Sequence, residues 1–149
     1  MRGRELKCRD LSIGDWVQDS HGMRWQVCGV GEDYAYGTFE GNEGDPWEFD
    51  DKDDRPYAIE LTGTMLERNG WGENIGGYSM RYCFASDSLN NPKLPYYIEF
   101  YRGYLKIFKD YIEGDCAFAD IVAPVTFVHE LHQALRLAGL GYIADNFKI

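Results

Sequence analysis

Paired cysteines are missing from this chain. Cys8, Cys28, Cys83 and Cys116 stand far apart and none belongs to a CxxC pair, so the closely spaced thiolates of a structural zinc site are not there. No apolar run approaches the roughly 20 residues that a membrane span requires. The start, Met1-Arg2-Gly3-Arg4-Glu5-Leu6-Lys7, is charged, and the apolar stretch of a secretory signal does not follow it. These absences lead us to expect a cytoplasmic chain with reduced thiols, some of them buried as small apolar side chains, and no membrane association. Bases are also scarce: 15 Lys and Arg face 25 Asp and Glu, for a net charge of −10. A chain of that sign repels phosphate, which argues against direct nucleic-acid binding. Only Arg2, Arg4, Lys7 and Arg9 form a basic group, and they read as a tail. No GxSxG elbow is present for a serine nucleophile. Gly76-Gly77 is not part of a phosphate loop leading into a helix.

What the chain does have is concentrated acidity. Glu32, Asp33, Glu40, Glu43, Asp45, Glu48, Asp50, Asp51, Asp53 and Asp54 lie within one segment whose only base is Lys52. That segment holds nearly the whole net charge, so the acidity is a local field that attracts cations or basic protein surfaces. The second asset is aromatic: 11 Tyr, 8 Phe and 4 Trp. Aromatic residues favour strands, so a sheet-rich fold is expected over a helical bundle. With 149 residues, the chain fits one domain or two very small, intimately packed ones.

Periodicity divides the chain near residue 61. Before it, Asp15–Gln18, Trp25–Val30, Tyr34–Glu40, Trp47–Asp50 and Tyr57–Leu61 read as five short strands. Asp19-Ser20-His21-Gly22 and Gly41-Asn42-Glu43-Gly44-Asp45-Pro46 supply turns between them. After it, a short helix is expected near Thr64–Asn69. Thr62 or Thr64 is its cap, Thr64 with Glu67 matches a capping box, and Gly70 is its left-handed stop. Tyr78–Ala85 reads as a strand, Ser86–Pro95 as a loop, and Tyr96–Tyr101 with Tyr104–Asp110 as a hairpin around Arg102-Gly103. The last element is an amphipathic helix opening at Pro124 or Thr126. Val128, Leu131, Leu135 and Ala138 form its apolar stripe and Gly139 ends it.

Leu11-Ser12-Ile13-Gly14-Asp15-Trp16-Val17, then Gly22 and Val27-Cys28-Gly29-Val30, resembles the opening of small SH3-like β-barrels. Three further anchors are Leu11–Asp15, Ile59-Glu60-Leu61-Thr62 with Leu66–Trp71, and Phe127-Val128-His129-Glu130-Leu131. In order and spacing they resemble an uncharacterised family of small proteins from phages and mobile elements of gut Bacteroidales. The resemblance implies an accessory protein of a mobile genome and brings no activity with it. The chain departs from that family at Gly63, where members often carry Pro, and at His132, where they usually carry Gln. Its acidic stretch from Glu40 to Asp54 is also longer.

The nearest catalytic motif is His129-Glu130-Leu131-His132. A zincin needs HExxH, whose histidines share a helix face four residues apart, and here they are three apart. An i, i+3 pair serves di-iron helices only with matching carboxylates from other helices. The expectation is a packed apolar face with His129 and Glu130 at its rim. The alternative is a metal-dependent hydrolase using His129, Glu130 and His132. Asp50-Asp51-Lys52-Asp53-Asp54 lacks the spacing of a calcium loop. No two carboxylates stand out as an opposed acid and base.

The expected molecule is therefore α+β, with an SH3-like β-meander over residues 1–61 and an α+β part over 62–149. The latter is a small antiparallel sheet with a short central helix and the carboxy-terminal amphipathic helix. No cofactor and no catalysis are expected. The expected function is protein binding by an acidic face of Glu40, Glu43, Asp45, Glu48, Asp50, Asp51, Asp53 and Asp54, anchored by Trp47 or Tyr36. Such a face mimics a phosphate row and would mask the basic surface of a nucleic-acid-binding or defence protein. A purely structural accessory role is the other alternative.

Overall fold

The computed structural model describes residues 4–39, 44–74, 81–85, 96–101, 103–109 and 119–149. The fold is mixed α+β, and its strands form two five-stranded antiparallel sheets. The first sheet holds β1 (Trp16–Gln18), β2 (Arg24–Val30), β3 (Tyr34–Phe39), β4 (Trp47–Asp50) and β5 (Tyr57–Ala58). Its spatial order is β4-β3-β2-β1-β5, and it curls into a half-barrel. A register shift between Val27 and Gly29, where β2 meets β3, adds to the bending. Alternation is clean where it matters. Val17, Val27, Ala35, Phe49 and Ala58 point into one buried cluster with Leu6, Cys8 and Leu11.

Asp19 organises the β1–β2 turn. One of its carboxylate oxygens accepts the N–H groups of His21 and Met23, and the other accepts the indole N–H of Trp25 at 3.0 Å. Gly22 takes φ +81° there. The β5 strand is shorter than expected. Residues beyond Ala58 leave the sheet to meet the approach to the last long helix: Glu60 bridges Phe127, and Leu61 N–H donates to Thr126 O.

The second part comprises helix α1 (Gly63–Arg68), strands β6 (Gly72–Asn74), β7 (Arg81–Ala85), β8 (Tyr96–Tyr101), β9 (Tyr104–Lys109) and β10 (Ile121–Pro124), then helices α2 (Val128–Leu137) and α3 (Gly141–Asp145). Thr62 is the cap of α1, its hydroxyl accepting Met65 N–H at 3.2 Å. The Thr64–Glu67 capping box is therefore not used. The strand expected from Tyr78 is described only from Arg81, and the loop Ser86–Pro95 lies outside the described residues. Pro124 does not open the last long helix. It ends β10, an edge strand where a missing N–H costs little. Helix α2 begins after Phe127, and the Glu130 carboxylate accepts the N–H groups of Thr126 and Phe127 at 3.1 and 3.0 Å. The expected stripe of Val128, Leu131, Leu135 and Ala138 is buried against Ile98, Leu105 and Ile107 of the second sheet.

One buried charge joins the two parts. Asp15, completely inaccessible, accepts Ser12 N–H at 2.8 Å, the Gln133 amide at 2.7 Å and an Arg136 guanidinium N–H at 2.8 Å. The preceding Gly14 has φ +94°, and a Cβ there would stand 2.6 Å from Arg136 Nη2. Both conformation and space therefore call for glycine at this position. Removing one partner of a buried ion pair leaves the other uncompensated. Asp15→Ala is expected to lower the unfolding free energy by about 3 kcal/mol, measured by urea denaturation.

Candidate functional site

The acidic segment folds as strand β4 and the loop that follows it. Phe49, paired with Ala35, enters the core, so its neighbour Glu48 faces solvent beside Tyr36. Trp47 lies at the rim on the core side, 48% exposed, with its ring 6.2 Å from that of Trp25. Gly37 opposite leaves room for these aromatics, since a Cβ there would come within 3.1 Å of Phe49 and Trp25.

The carboxylates divide into two kinds. Asp50 turns back on its own loop, accepting the N–H groups of Lys52, Asp53 and Asp54 at 2.8, 2.7 and 3.2 Å. Those donors hold its carboxyl below the usual range. Asp51 accepts Cys8 N–H at 2.9 Å, fastening the amino-terminal segment to the loop. Burial and the adjacent Asp51 carboxylate push the Cys8 thiol up to about 12, so it is an inert core group. Asp45, Glu48, Asp53 and Asp54 are exposed. Glu40 and Glu43 lie outside the described residues.

The basic amino-terminal residues do not behave as a tail from Arg4 onward. Ala58 N–H donates to Arg4 O, Leu6 N–H donates to Pro56 O, and Leu6 and Cys8 are buried. Arg4 sits 6.0 Å above the Phe127 ring. The segment carries Lys7 and Arg9 to an open cleft of about 560 Å³ that they share with Arg55 and with Glu32, Asp33 and Asp51. Arg55 also pairs with Glu5 at 2.6 Å. This flank of the acidic segment is of mixed charge, and the unopposed acidity lies toward Glu48, Asp53 and Asp54.

The histidines of α2 are more deeply placed than expected. His129 is buried instead of lying at the rim, its ring stacked at 6.0 Å on Phe127. His132 is wholly buried, edge-on to Phe147 at 5.3 Å, and neither ring nitrogen has a hydrogen-bond partner among the described residues. Burial, then the Arg136 charge, lowers the His132 pKa to about 4. Burial likewise lowers that of His129. Among the described residues no three His, Cys, Asp or Glu side chains gather into a metal-holding group.

The chain matches no family model, no curated protein and no solved structure. No helix among the described residues is long and apolar enough to cross a membrane. The described residues of the expected face, Asp45, Trp47, Glu48, Asp50, Asp51, Asp53 and Asp54, lie along β4 and its flanking turns, with Trp47 on the opposite side of the strand from Glu48. It also adds a residue that the sequence reading passed over. Tyr34, two residues before Tyr36 on β3, is 40% exposed and its ring stands 5.6 Å from that of Tyr36. The period-2 alternation of Tyr34 and Tyr36 with Ala35 and Gly37 was the available signal.

The buried His132 makes acid destabilising. It stays neutral in the fold down to about pH 4, whereas an unfolded histidine takes up its proton near pH 6.5. The unfolded state therefore gains the proton first, and stability is complete above pH 6.5 and falls between there and about pH 4. Roughly 2 kcal/mol of this contribution should be gone by pH 5. The drop is expected in urea midpoints compared at pH 7.5 and 5, and His132→Leu should flatten it.

Proposed function

We propose that this chain is a non-catalytic protein-binding module of a phage or mobile element, acting in the cytoplasm on a basic protein surface. The observation that carries this reading is the set of exposed carboxylates, Asp45, Glu48, Asp53 and Asp54, around the half-exposed Trp47 on one strand and its turns. Charge at this density steers a basic partner into encounter, and an aromatic anchor lowers the rate of leaving. The curled five-stranded sheet that presents it has the strand count and opening motif of SH3-like barrels, which supports an interaction role by analogy. A partner whose groove normally holds phosphates, such as a host defence nuclease, matches the sign and density of these exposed carboxylates.

The hydrolase alternative is less well supported. Glu130 spends a carboxylate oxygen capping its own helix, and His132 is closed off from solvent against Phe147. Neither arrangement suits a base or ligand that must reach a substrate.

Because Asp50 and Asp51 hold the loop and the amino-terminal segment, the test should spare them. The chain used as bait in host lysate is expected to recover basic nucleic-acid-binding proteins, and recovery should fall steeply as salt shortens the field's reach from about 8 Å. A variant combining Asp45→Asn, Glu48→Gln, Asp53→Asn and Asp54→Asn should recover none of them. Identical recovery by both baits, or none by either, would refute the reading.

A further inference from the structure

The outer face of β2 and β3 carries an aromatic surface that the core does not use. Tyr34 and Tyr36 project to the same side of β3, opposite to the buried Ala35. They remain 40% and 37% exposed, and their rings meet at 70° with centroids 5.6 Å apart. Gly31 makes the placement of Tyr34 possible, since a Cβ there would fall 2.3 Å from the Tyr34 ring, whereas one at Gly29 would make ordinary contact with the Tyr36 ring at 3.4 Å. The Tyr34 ring thus lies across bare backbone of the β2–β3 turn, and the Tyr36 ring beside Gly29 of β2. Neither hydroxyl has a hydrogen-bond partner among the described residues. Carboxylates bracket the pair. Glu48 is the cross-strand partner of Tyr36, while Glu32 and Asp33 form the exposed hairpin tip beside Tyr34.

We infer that Tyr34 and Tyr36 form an L-shaped platform for the arginine side chains of the basic partner, with Glu48, the cross-strand neighbour of Tyr36, pairing to the guanidinium edge. The inference rests on the acidic protein-binding reading and names what that surface selects. The two rings pack edge to face and together form a corner, in which a planar cation stacks on one ring face with the second ring beside it. The Glu48 carboxylate then accepts its N–H groups as a pair. A guanidinium satisfies both demands, while an ammonium is a strongly hydrated point charge that stacks less well. Nucleic acid is disfavoured because its phosphates would face Glu48, Glu32 and Asp33. A second copy of the chain would bring those same acids against one another.

The test titrates the intact protein against fluorescein-labelled nona-arginine and nona-lysine peptides, read by fluorescence anisotropy at about 0.15 M salt. The unmodified chain is expected to bind nona-arginine about fivefold more tightly than nona-lysine, because an ammonium also reaches an aromatic face but stacks less well and cannot pair bidentately. The Tyr34→Leu/Tyr36→Leu double variant should lose the larger part of that preference, keeping only what the carboxylates give to guanidinium. Tyr34→Phe/Tyr36→Phe, which keeps both rings, should retain the arginine preference and so separates the platform's role from damage to the sheet. An unmodified chain without arginine preference overturns the inference, as does a preference undiminished by removal of both rings. So does tighter binding of a labelled oligodeoxynucleotide than of either peptide, or self-association abolished by the Leu variant. Equal binding of both peptides that disappears in the Asp45/Glu48/Asp53/Asp54-neutralised variant would overturn the platform while leaving the acidic-module reading intact. Binding indifferent to that neutralised variant would overturn both.

Discussion

Asp15 is the constraint on which the rest of this molecule hangs. A carboxylate withdrawn from water must be matched by donors or it destabilises the fold by several kcal/mol. Here the donors come from both parts of the chain: Ser12 N–H from the lead into β1, and the Gln133 and Arg136 side chains from α2. Satisfying Asp15 therefore fixes the carboxy-terminal helix against the first sheet. The two backbone contacts at Ile59–Leu61 and Thr126–Val128 repeat the same join. Gly14 must stay a glycine for this to hold, because Arg136 occupies the space of its missing Cβ.

The acidic segment follows the same logic on a smaller scale. A dense run of carboxylates repels itself, and the loop after β4 relieves part of that by giving two of them backbone donors. Asp50 gathers three N–H groups of its own loop, and Asp51 reaches across to Cys8. These two shape the surface, and Asp45, Glu48, Asp53 and Asp54 are left to present it. Lys7, Arg9 and Arg55 close one flank of the field, which gives it a direction. Tyr34 and Tyr36 lie exposed on the face that carries Glu48, and Trp47 lies exposed at the rim of the opposite, core-side face.

Much of the fold was legible locally. The alternation in Trp47-Glu48-Phe49-Asp50 and the Asp19–Gly22 turn are patterns of adjacent residues, and both were placed correctly, as were the strand Tyr96–Tyr101 and the stripe of α2. Misreadings arose where a distant partner decided. Thr62 or Thr64 could cap α1 by sequence, and the structure uses Thr62, so only the Thr64–Glu67 box goes unused. Pro124 is good helix-opening chemistry, yet pairing with Tyr104 across an edge strand claims it for β10. The short strands β6 and β10 and helix α3 carry too few residues for a period to register.

The sequence by itself determined the α+β class, the five amino-terminal strands and the location of nearly all the net charge. Each of those depends on spacing within a few residues. Tertiary structure alone decided that Asp15 is a buried clasp, that Asp50 and Asp51 are committed to the fold, and that His132 is sealed against Phe147. It also laid the Tyr34 ring across Gly31 of the β2–β3 turn and the Tyr36 ring beside Gly29 of β2. For Asp15, Asp51 and His132 the physical reason is the same. Burial and pairing are properties of side chains meeting across long stretches of chain, here 121 residues between Asp15 and Arg136, and no local pattern encodes which partners will meet.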